Sequence, residues 1–178
     1  VAFAAAPNAE IAKKVLIGGF AELSTLDPGF YGAGIYLTFD AAKYAIERYG
    51  QQVYGRDKET GVVDLQKPVA MLVVAVVVAN PFPVVELPGA PEEEGGSYLG
   101  KPIRPKADAH LAVVKWGTNP YRPGKLESVP CCPVEREDGA PRYTELVCKE
   151  ASVLPIGYVM IVPKRPCPSA ATISAFFS

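Results

Sequence analysis

The chain has 178 residues, of which 49% are hydrophobic, enough for one domain with a substantial core. Its 18 basic and 19 acidic side chains give a net charge of −1 and form no basic stripe, so nucleic-acid binding has no electrostatic support. Eighteen prolines and 16 glycines imply many turns and long loops, and they argue against a helical bundle.

The first part of the chain predicts two helices with a short strand between them. A helix over residues 8–19 begins at the N-cap residue Asn8 and ends at a pair of glycines. A short strand follows at 34–37, and Asp40 is the predicted cap of a second helix over 41–48. The polar, turn-rich residues after this helix, 51–66, predict a surface loop.

The second part predicts strands separated by long loops. The apolar run 69–79 is rich in β-branched residues and much shorter than the roughly 20 residues of a membrane span, so we predict a buried central strand and no membrane insertion. Two Pro- and Gly-rich insertions, 86–109 and 117–141, predict loops, and the acidic run in the first predicts a solvated surface. Further extended segments are predicted at 81–85, 110–115, 143–148 and 152–162. Two early helices followed by strands predict an α+β fold on a mostly antiparallel sheet.

The cysteines do not predict a metal site. Cys131, Cys132, Cys148 and Cys167 form no Cys-x-x-Cys pair, and the chain has one histidine. Adjacent cysteines rarely bond to each other, so we expect reduced thiols in an intracellular protein. The chain shows no signal peptide and does not begin with Met, and we expect a processed chain or a domain with further domains upstream.

The most informative segment is a glycine-rich block at 27–38, Asp-Pro-Gly-Phe-Tyr-Gly-Ala-Gly-Ile-Tyr-Leu-Thr. Glycine allows tight turns and close approach of other groups. The block follows a helix and opens a strand, unlike a dinucleotide fingerprint, and lacks the Lys-Ser/Thr of a P-loop. Tyr36 on the strand and Tyr44 on the next helix are eight positions apart, which suggests a planar aromatic ligand between two rings. An ordinary turn beside two core tyrosines is the alternative interpretation.

Three blocks in order resemble the catalytic domain of the poly(ADP-ribose) polymerase family, the diphtheria-toxin-like ADP-ribosyltransferases. The first is Gly-Ala-Gly-Ile-Tyr-Leu-Thr with the following Ala-Lys-Tyr, and the second is Asn-Pro-Phe-Pro-Val with the later Leu-Gly-Lys-Pro-Ile and His110. The third is Tyr-Thr-Glu-Leu-Val-Cys with the following Val-Leu-Pro. The blocks lie at 32–38 and 42–44, at 80–84 and 99–103, and at 143–148 and 153–155.

The resemblance implies an ADP-ribosyltransferase-like split antiparallel β half-barrel over residues 1–163, followed by a tail or linker at 164–178. It implies an enzyme of the cytoplasm or nucleus that uses NAD as substrate and needs no metal. Such an enzyme cleaves the nicotinamide–ribose bond and transfers ADP-ribose, as a single unit in our expectation, to a protein or nucleic-acid acceptor. Positive charge develops on the ribose, and a nearby carboxylate stabilises it.

Matched position by position, Glu145 is the expected catalytic glutamate and Tyr36 the expected motif tyrosine of the active site. Tyr44 matches the tyrosine that stacks on nicotinamide, and Gly34 belongs to the same NAD-binding block. Glu145 lies in an otherwise apolar strand, where a carboxylate has little structural use unless its face is exposed to solvent. A polar outward face is therefore the alternative interpretation of Glu145.

The chain departs from the family at its first motif, a His-Gly pair that aligns with Ala4 and Ala5. Alanine cannot make the hydrogen bond of the family's histidine to a ribose hydroxyl, whereas the backbone of Ala5 can still hold the nicotinamide carboxamide. One lost hydrogen bond weakens NAD binding by about tenfold to a hundredfold. His110 lies too far downstream to replace that histidine, and we expect it to be half-buried or on the surface.

This departure leaves the functional interpretation open between classes. The chain is an active transferase, or it is a pseudoenzyme, natural or engineered, that binds partners through the insertions 86–109 and 117–141. A third interpretation is a structural subunit of a larger assembly whose apolar segment 173–177 packs on a neighbour.

Overall fold

The computed structural model describes residues 1–20, 29–57, 59–64, 66–124, 126–130 and 142–162. Within these residues the elements are β1 Ala2–Ala6, α1 Ala9–Gly18, β2 Ile35–Leu37, a wide helix Ala41–Val53, β3 Val69–Val76, β4 Pro81–Pro83, β5 Ala109–Thr118, β6 Leu126–Pro130, β7 Arg142–Cys148 and β8 Val153–Ile161. The tail at 164–178, three of the four cysteines and the first two residues of the glycine-rich block lie outside the described residues.

The first sheet is antiparallel and has the strand order β1-β3-β8. The predicted buried strand is confirmed as β3, which lies at its centre. It ends at Val76, and the side chain of the next residue, Val77, is 77% exposed.

The second sheet has the order β2-β7-β5-β4, and β6 also pairs with β5. Only the short β4–β5 pairing is parallel among the strand pairs of the described residues. The two sheets touch where Phe3 and Thr38 exchange backbone hydrogen bonds of 2.8 and 2.9 Å. The fold is therefore α+β with two mostly antiparallel sheets, neither of which closes into a barrel.

Strand β1 is absent from the sequence prediction. Its sequence, Ala-Phe-Ala-Ala-Ala, has weak β preference because alanine presents little surface to a pleated neighbour. Small side chains instead let β1 pack closely on β3, and Ala2 and Ala6 are almost fully buried. Tertiary burial therefore decides the conformation of this segment.

Helix α1 is confirmed with the predicted ends. Asn8 accepts a hydrogen bond from the N–H of Ile11 at 2.9 Å, and Gly19, at φ 84°, closes the helix with a bond from its N–H to the carbonyl of Val15. Ala12 and Val15 are buried against the first sheet.

The second helix is longer and wider than predicted, and it extends to Val53 into the predicted surface loop. Its backbone bonds span five residues, as from the N–H of Ala45 to the carbonyl of Asp40 at 3.0 Å. Gly50 brings the helix onto β3, since a Cβ at that position would lie 2.2 Å from a methyl carbon of Val69.

The predictions for the loop after residue 117 and for the strand before it need correction. The predicted loop after residue 117 contains β6, which pairs with β5 from Val114 to Thr118. The predicted strand 110–115 is correspondingly longer, as β5 runs from Ala109 to Thr118. The predicted strands at 34–37, 143–148 and 152–162 are confirmed as β2, β7 and β8, and the segment at 81–85 is confirmed as β4.

Successive side chains of β2 and β7 point to opposite faces of the sheet, and each face belongs to a different apolar cluster. Leu37 and Leu146 belong to the cluster shared with the first sheet, whereas Tyr36 and Val147 belong to an aromatic cluster on the opposite face. Because side chains two positions apart on a strand share a face, Glu145 lies on the same face as Val147. The aromatic face is therefore the face that carries the predicted site.

Candidate functional site

A cavity of about 370 Å³ lies where β1, β2, the wide helix and strands β5 to β7 meet. Its volume falls within the range of roughly 300–1,000 Å³ that is typical of small-molecule sites. Most of its wall is aromatic or aliphatic, and three charged side chains contribute: Arg48, Glu127 and Glu145. A mostly apolar wall with few polar groups suits an aromatic ligand of limited size.

All the sequence-predicted site residues line this cavity. They are Ala5, Gly34, Tyr36, Tyr44 and Glu145, which come from β1, the glycine-rich block, the wide helix and β7. Ala4, the position that aligns with the missing histidine, also lines the cavity. Segments far apart in sequence are thus brought to one space by sheet pairing and helix packing.

Glu145 is 2% exposed, so the alternative of a solvent-facing carboxylate is wrong. The hydroxyl group of Tyr44 donates a hydrogen bond to Oε1 of Glu145. This contact gives the buried carboxylate a hydrogen-bond donor, which compensates part of the cost of removing it from water.

Asp40 fixes the start of the wide helix to the strand that carries Glu145. The predicted capping bond from its side chain does not form. Instead, Oδ2 of Asp40 accepts hydrogen bonds from the backbone N–H and the hydroxyl of Thr144, at 3.1 and 3.3 Å. These bonds fix the position of the helix relative to β7 next to the Tyr44–Glu145 contact.

Tyr44 is a core residue as well as a residue of the cavity wall. It is 2% exposed, stacks on Tyr143 with ring centroids 4.9 Å apart, and meets the ring of Tyr49 edge-on at 5.4 Å. Such contacts fix the ring plane and direct the hydroxyl group toward Glu145. They leave only a narrow part of Tyr44 for contact with a ligand.

Tyr36 holds the glycine-rich block through its hydroxyl group. The oxygen accepts a hydrogen bond from the N–H of Tyr31 and donates one to the carbonyl of Gly32, both at 2.8 Å. The hydroxyl is therefore engaged by the backbone, and Tyr36 presents its ring to the cavity. This geometry makes Tyr36 a positioning residue for the loop.

His110 is completely buried, so the expectation of a half-buried or surface histidine is wrong. Its Nε2 accepts from the N–H of Arg104 at 2.9 Å, which places the proton of the neutral ring on Nδ1, and Nδ1 donates to the carbonyl of Tyr31 at 2.6 Å. Burial lowers the pKa of His110, and the bond to Tyr31 opposes that shift. The ring of His110 therefore helps to hold the glycine-rich block in place through its bond to Tyr31.

Glycines are required where the loop meets its neighbours. Gly32 has φ 122°, and a Cβ there would lie 2.7 Å from Nδ1 of His110. A Cβ at Gly34 would lie 2.7 Å from the carbonyl oxygen of Cys148, which shows how closely β2 approaches β7. Both glycines therefore serve close packing of the block.

Ala4 and Ala5 face Leu72 and Met71 across the first sheet. Ala5 is 7% exposed, and Ala4 is partly exposed in the cavity wall. At both positions the side chain is a methyl group, which offers a ligand no hydrogen bond. Polar contacts at this wall must come from the backbone.

Sequence reasoning missed two charged groups of the cavity. Arg48 lies on the wide helix with its guanidinium 3.6 Å from the centre of the Trp116 ring. Glu127 lies on β6, where Oε1 accepts from the amide of Asn119 at 2.8 Å and Oε2 is 3.6 Å from Nε of Arg122. Glu127 falls in a segment predicted as a loop, so the sequence held no signal for it. Arg48 could have been found from the sequence, because it lies four residues after Tyr44 and residues at that spacing share one face of a helix.

Other features bear on the chemistry of the described residues. They contain no group of three or more His, Cys, Asp or Glu side chains placed to hold a metal ion. Among them, no helix combines the length and apolar character needed to cross a membrane. Cys148 is a buried free thiol, and burial raises its pKa to about 12, so a thiolate nucleophile at this position is disfavoured at neutral pH.

Comparison of the chain with protein-family models, with curated protein sequences and with solved structures finds no match.

Proposed function

We propose that the chain is an NAD-dependent ADP-ribosyltransferase domain that cleaves the nicotinamide–ribose bond and transfers one ADP-ribose unit to a protein or nucleic-acid acceptor. The observation that carries the proposal is the convergence of Ala5, Gly34, Tyr36, Tyr44 and Glu145 on one cavity, with Glu145 hydrogen-bonded to Tyr44. In this proposal the two sheets correspond to the split β half-barrel of that family.

In the proposed reaction, the nicotinamide ring lies against the aromatic wall formed by Tyr36 and Tyr44. The backbone of Ala5 offers an N–H and a carbonyl to the carboxamide, as β1 contributes to the wall. As the bond from ribose to nicotinamide breaks, its electron pair leaves with the ring and positive charge develops on the ribose.

Glu145 then stabilises that charge through its carboxylate, which a poorly hydrated wall makes more effective than in water. The hydrogen bond from Tyr44 keeps the carboxylate in place, so no reorganisation is needed during the step. Tyr36 acts through the loop, because its hydroxyl holds Tyr31 and Gly32.

A catalytically inactive binding module is the second candidate, and two observations favour it. The cavity wall at Ala4 carries a methyl group where the family carries a histidine, and Tyr44 is closely packed between Tyr143 and Tyr49. Both features reduce the contacts that NAD would find, and the protein would then use the fold as a scaffold.

The two candidates are distinguished by measuring NAD binding calorimetrically and label transfer from radiolabelled NAD. Glu145→Gln keeps an oxygen that can accept from Tyr44 but removes the negative charge. We expect NAD to bind both proteins and transfer to be lost by a factor of about 100 or more in the variant. Glu47→Gln is the matched control, since Glu47 is exposed on the wide helix and does not line the cavity. Equal transfer by wild type and Glu145→Gln would contradict the proposal, and absence of both binding and transfer would favour the scaffold.

A further inference from the structure

One arginine contacts two parts of the cavity wall that come from different segments. The guanidinium carbon of Arg122 lies 4.5 Å from the centre of the Phe30 ring, and its Nε lies 3.6 Å from Oε2 of Glu127. Phe30 belongs to the glycine-rich block and Glu127 to β6, and both side chains line the cavity. Arg122 therefore joins an aromatic ring and a carboxylate at one end of the wall.

The backbone position of Arg122 is fixed by Asn119, which is 1% exposed. The N–H of Arg122 donates to the carbonyl of Asn119, and the side-chain oxygen of Asn119 accepts from the N–H of Tyr121, both at 3.0 Å. The side-chain amide of Asn119 also donates to the carbonyl of Pro88 and to Oε1 of Glu127, both at 2.8 Å. A buried amide whose donors and acceptor are all engaged makes the turn that carries Arg122 rigid.

The ion pair with Arg122 balances the charge of Glu127. In this pair the side chain of Glu127 is 9% exposed and that of Arg122 is 29% exposed. A carboxylate that is largely removed from water needs both hydrogen bonds and an opposite charge nearby. Asn119 supplies a hydrogen bond, and Arg122 supplies the charge. Without the guanidinium, Glu127 would keep its hydrogen bond but would place a negative charge in the wall without this ion pair.

The same guanidinium holds the ring of Phe30, which is half-buried. A guanidinium within about 6 Å of a ring centre is attracted to the face of that ring. The backbone beside Phe30 is already held, because the hydroxyl group of Tyr36 accepts a hydrogen bond from the N–H of Tyr31. The contact with Arg122 therefore acts on the orientation of the Phe30 side chain within the wall.

We propose that Arg122 is a positioning residue that sets the charge preference of the cavity, because it balances Glu127 and holds Phe30 in the wall. With Arg122 in place, this end of the cavity presents an aromatic surface beside a paired carboxylate. Without it, the cavity favours cationic ligands. Where nicotinamide compounds are the probes, this inference rests on the proposed function.

The first test compares two ligands of nearly the same shape by calorimetry. Nicotinamide is neutral, whereas 1-methylnicotinamide carries a positive charge on the ring. Arg122→Met removes the guanidinium and keeps an unbranched side chain beside Phe30. We expect the affinity for the cationic ligand, relative to the neutral one, to rise about 3- to 10-fold in this variant. Arg122→Lys keeps the charge, and its ratio is expected to stay within about twofold of wild type.

The second test needs no ligand. Trp116 is the only tryptophan of the chain, lines the cavity, and pairs with Ser128, the residue next to Glu127. Caesium and iodide ions quench indole fluorescence on collision and carry opposite charges. In Arg122→Met we expect the ratio of caesium to iodide quenching to rise about twofold, because a more negative wall attracts the cation and repels the anion.

Glu127→Gln is expected to change that ratio in the opposite direction. Glutamine keeps an oxygen that can accept from Asn119 but removes the charge that Arg122 balances. The ratio of caesium to iodide quenching should therefore fall below that of wild type. A general loosening of the wall would admit both ions more easily and would not produce opposite shifts in the two variants.

Arg104→Met is the matched control, because it removes the same charge elsewhere. Arg104 also stacks on an aromatic ring, with its guanidinium 4.3 Å from the centre of Phe82, but it does not line the cavity. Its bond to His110 comes from the backbone N–H and survives the substitution. Both ratios in Arg104→Met are expected to match wild type, and thermal unfolding of each variant checks that the fold is kept.

The possible failures are distinguishable. Unchanged ratios in Arg122→Met, or equal shifts in Arg104→Met, overturn the role of Arg122 while the proposed function stands on NAD binding and transfer. A wild-type protein that binds neither NAD nor nicotinamide overturns the proposed function, and the quenching ratios then decide the role of Arg122. If Arg122→Met does not fold, the quenching ratio of Glu127→Gln decides it, and a ratio equal to that of wild type overturns the proposal.

Discussion

The hydroxyl group of Tyr44 donates a hydrogen bond to the carboxylate of Glu145, across 101 positions of sequence. Both side chains are 2% exposed, and the contact joins the wide helix to β7 inside the candidate site. A further hydrogen bond, from the N–H of Thr144 to the carboxylate of Asp40, lies one residue away on β7. These contacts join the start of the wide helix to β7 beside the cavity.

Substituting Tyr44 by Phe removes the hydroxyl donor while keeping the ring. The buried carboxylate of Glu145 then loses a hydrogen bond, and we expect the free energy of unfolding to fall by about 1–3 kcal/mol. Urea unfolding of wild type, Tyr44→Phe, Glu145→Met and the double variant measures this as a double-mutant cycle, because methionine removes the carboxylate acceptor while keeping a side chain of similar length. A coupling energy near zero would show that the two side chains do not stabilise each other.

Substituting Gly32 by Ala tests the packing of the glycine-rich block on His110. The new Cβ would lie 2.7 Å from Nδ1 of the ring at a backbone φ of 122°, so we expect a larger loss of stability than backbone strain alone causes. Gly124→Ala is the matched control, because Gly124 also has positive φ, 86°, but a Cβ there meets no atom within 4 Å.

Thermal unfolding compares the two alanine variants. A melting temperature for Gly32→Ala that equals that of Gly124→Ala would contradict the close contact between the loop and His110. We expect the free energy of unfolding of Gly32→Ala to be lower than that of Gly124→Ala by more than about 1 kcal/mol, the lower end of the usual cost of overpacking.

The buried neutral state of His110 predicts a pH dependence of stability. Its pKa is lowered in the folded protein mainly by burial, with Arg104 and Lys149 adding to the shift and Tyr31 and Glu86 opposing it. Above pH of about 6.5, histidine is neutral in both folded and unfolded states. Below that pH the unfolded chain binds a proton that the folded chain does not, so the free energy of unfolding falls with falling pH.

Urea unfolding between about pH 7.5 and 4.5 measures this dependence, and His110→Gln is the comparison. We expect the variant to be less stable overall but to have a shallower slope just below pH of about 6.5. Asp108 also has a lowered pKa, through hydrogen bonds from the backbone of Ala79 and Asn80. Its protonation changes the stability at a more acidic pH than that of His110. Identical slopes in both proteins would rule out a contribution from His110.

Substituting Ala4 by His tests the alignment of β1 with the family's first motif, and it rests on the proposed function. A histidine in the cavity wall offers the ribose of NAD a hydrogen bond, and we expect NAD to bind about 10- to 100-fold more tightly, as measured by calorimetry. Ala4→Leu adds volume without a polar group and is the control. Weaker NAD binding in both variants would mean that Ala4 does not face the ribose.

Local sequence patterns were sufficient for most elements of the fold. Asn8 and Gly19 mark the ends of α1, and the β-branched run from Val69 identifies the central strand of the first sheet. The same kind of reasoning failed at β1, because alanine has a weak preference for strands. It also failed at β6, because this strand lies within a Pro- and Gly-rich segment that predicts a loop. It also missed the width of the second helix, which depends on packing against β3 at Gly50.

The residue types available for chemistry follow from the order of amino acids alone: a glycine-rich block, Tyr36, Tyr44 and a glutamate in an apolar strand at Glu145. Their surroundings arise only when the chain folds. Burial of Glu145, the engagement of Tyr36 by the loop, the position of His110 beneath Gly32 and the stacking of Arg48 on Trp116 all depend on contacts between distant segments. Local patterns report the preferences of neighbouring residues, whereas solvation and hydrogen-bond partners are set by which elements pack together.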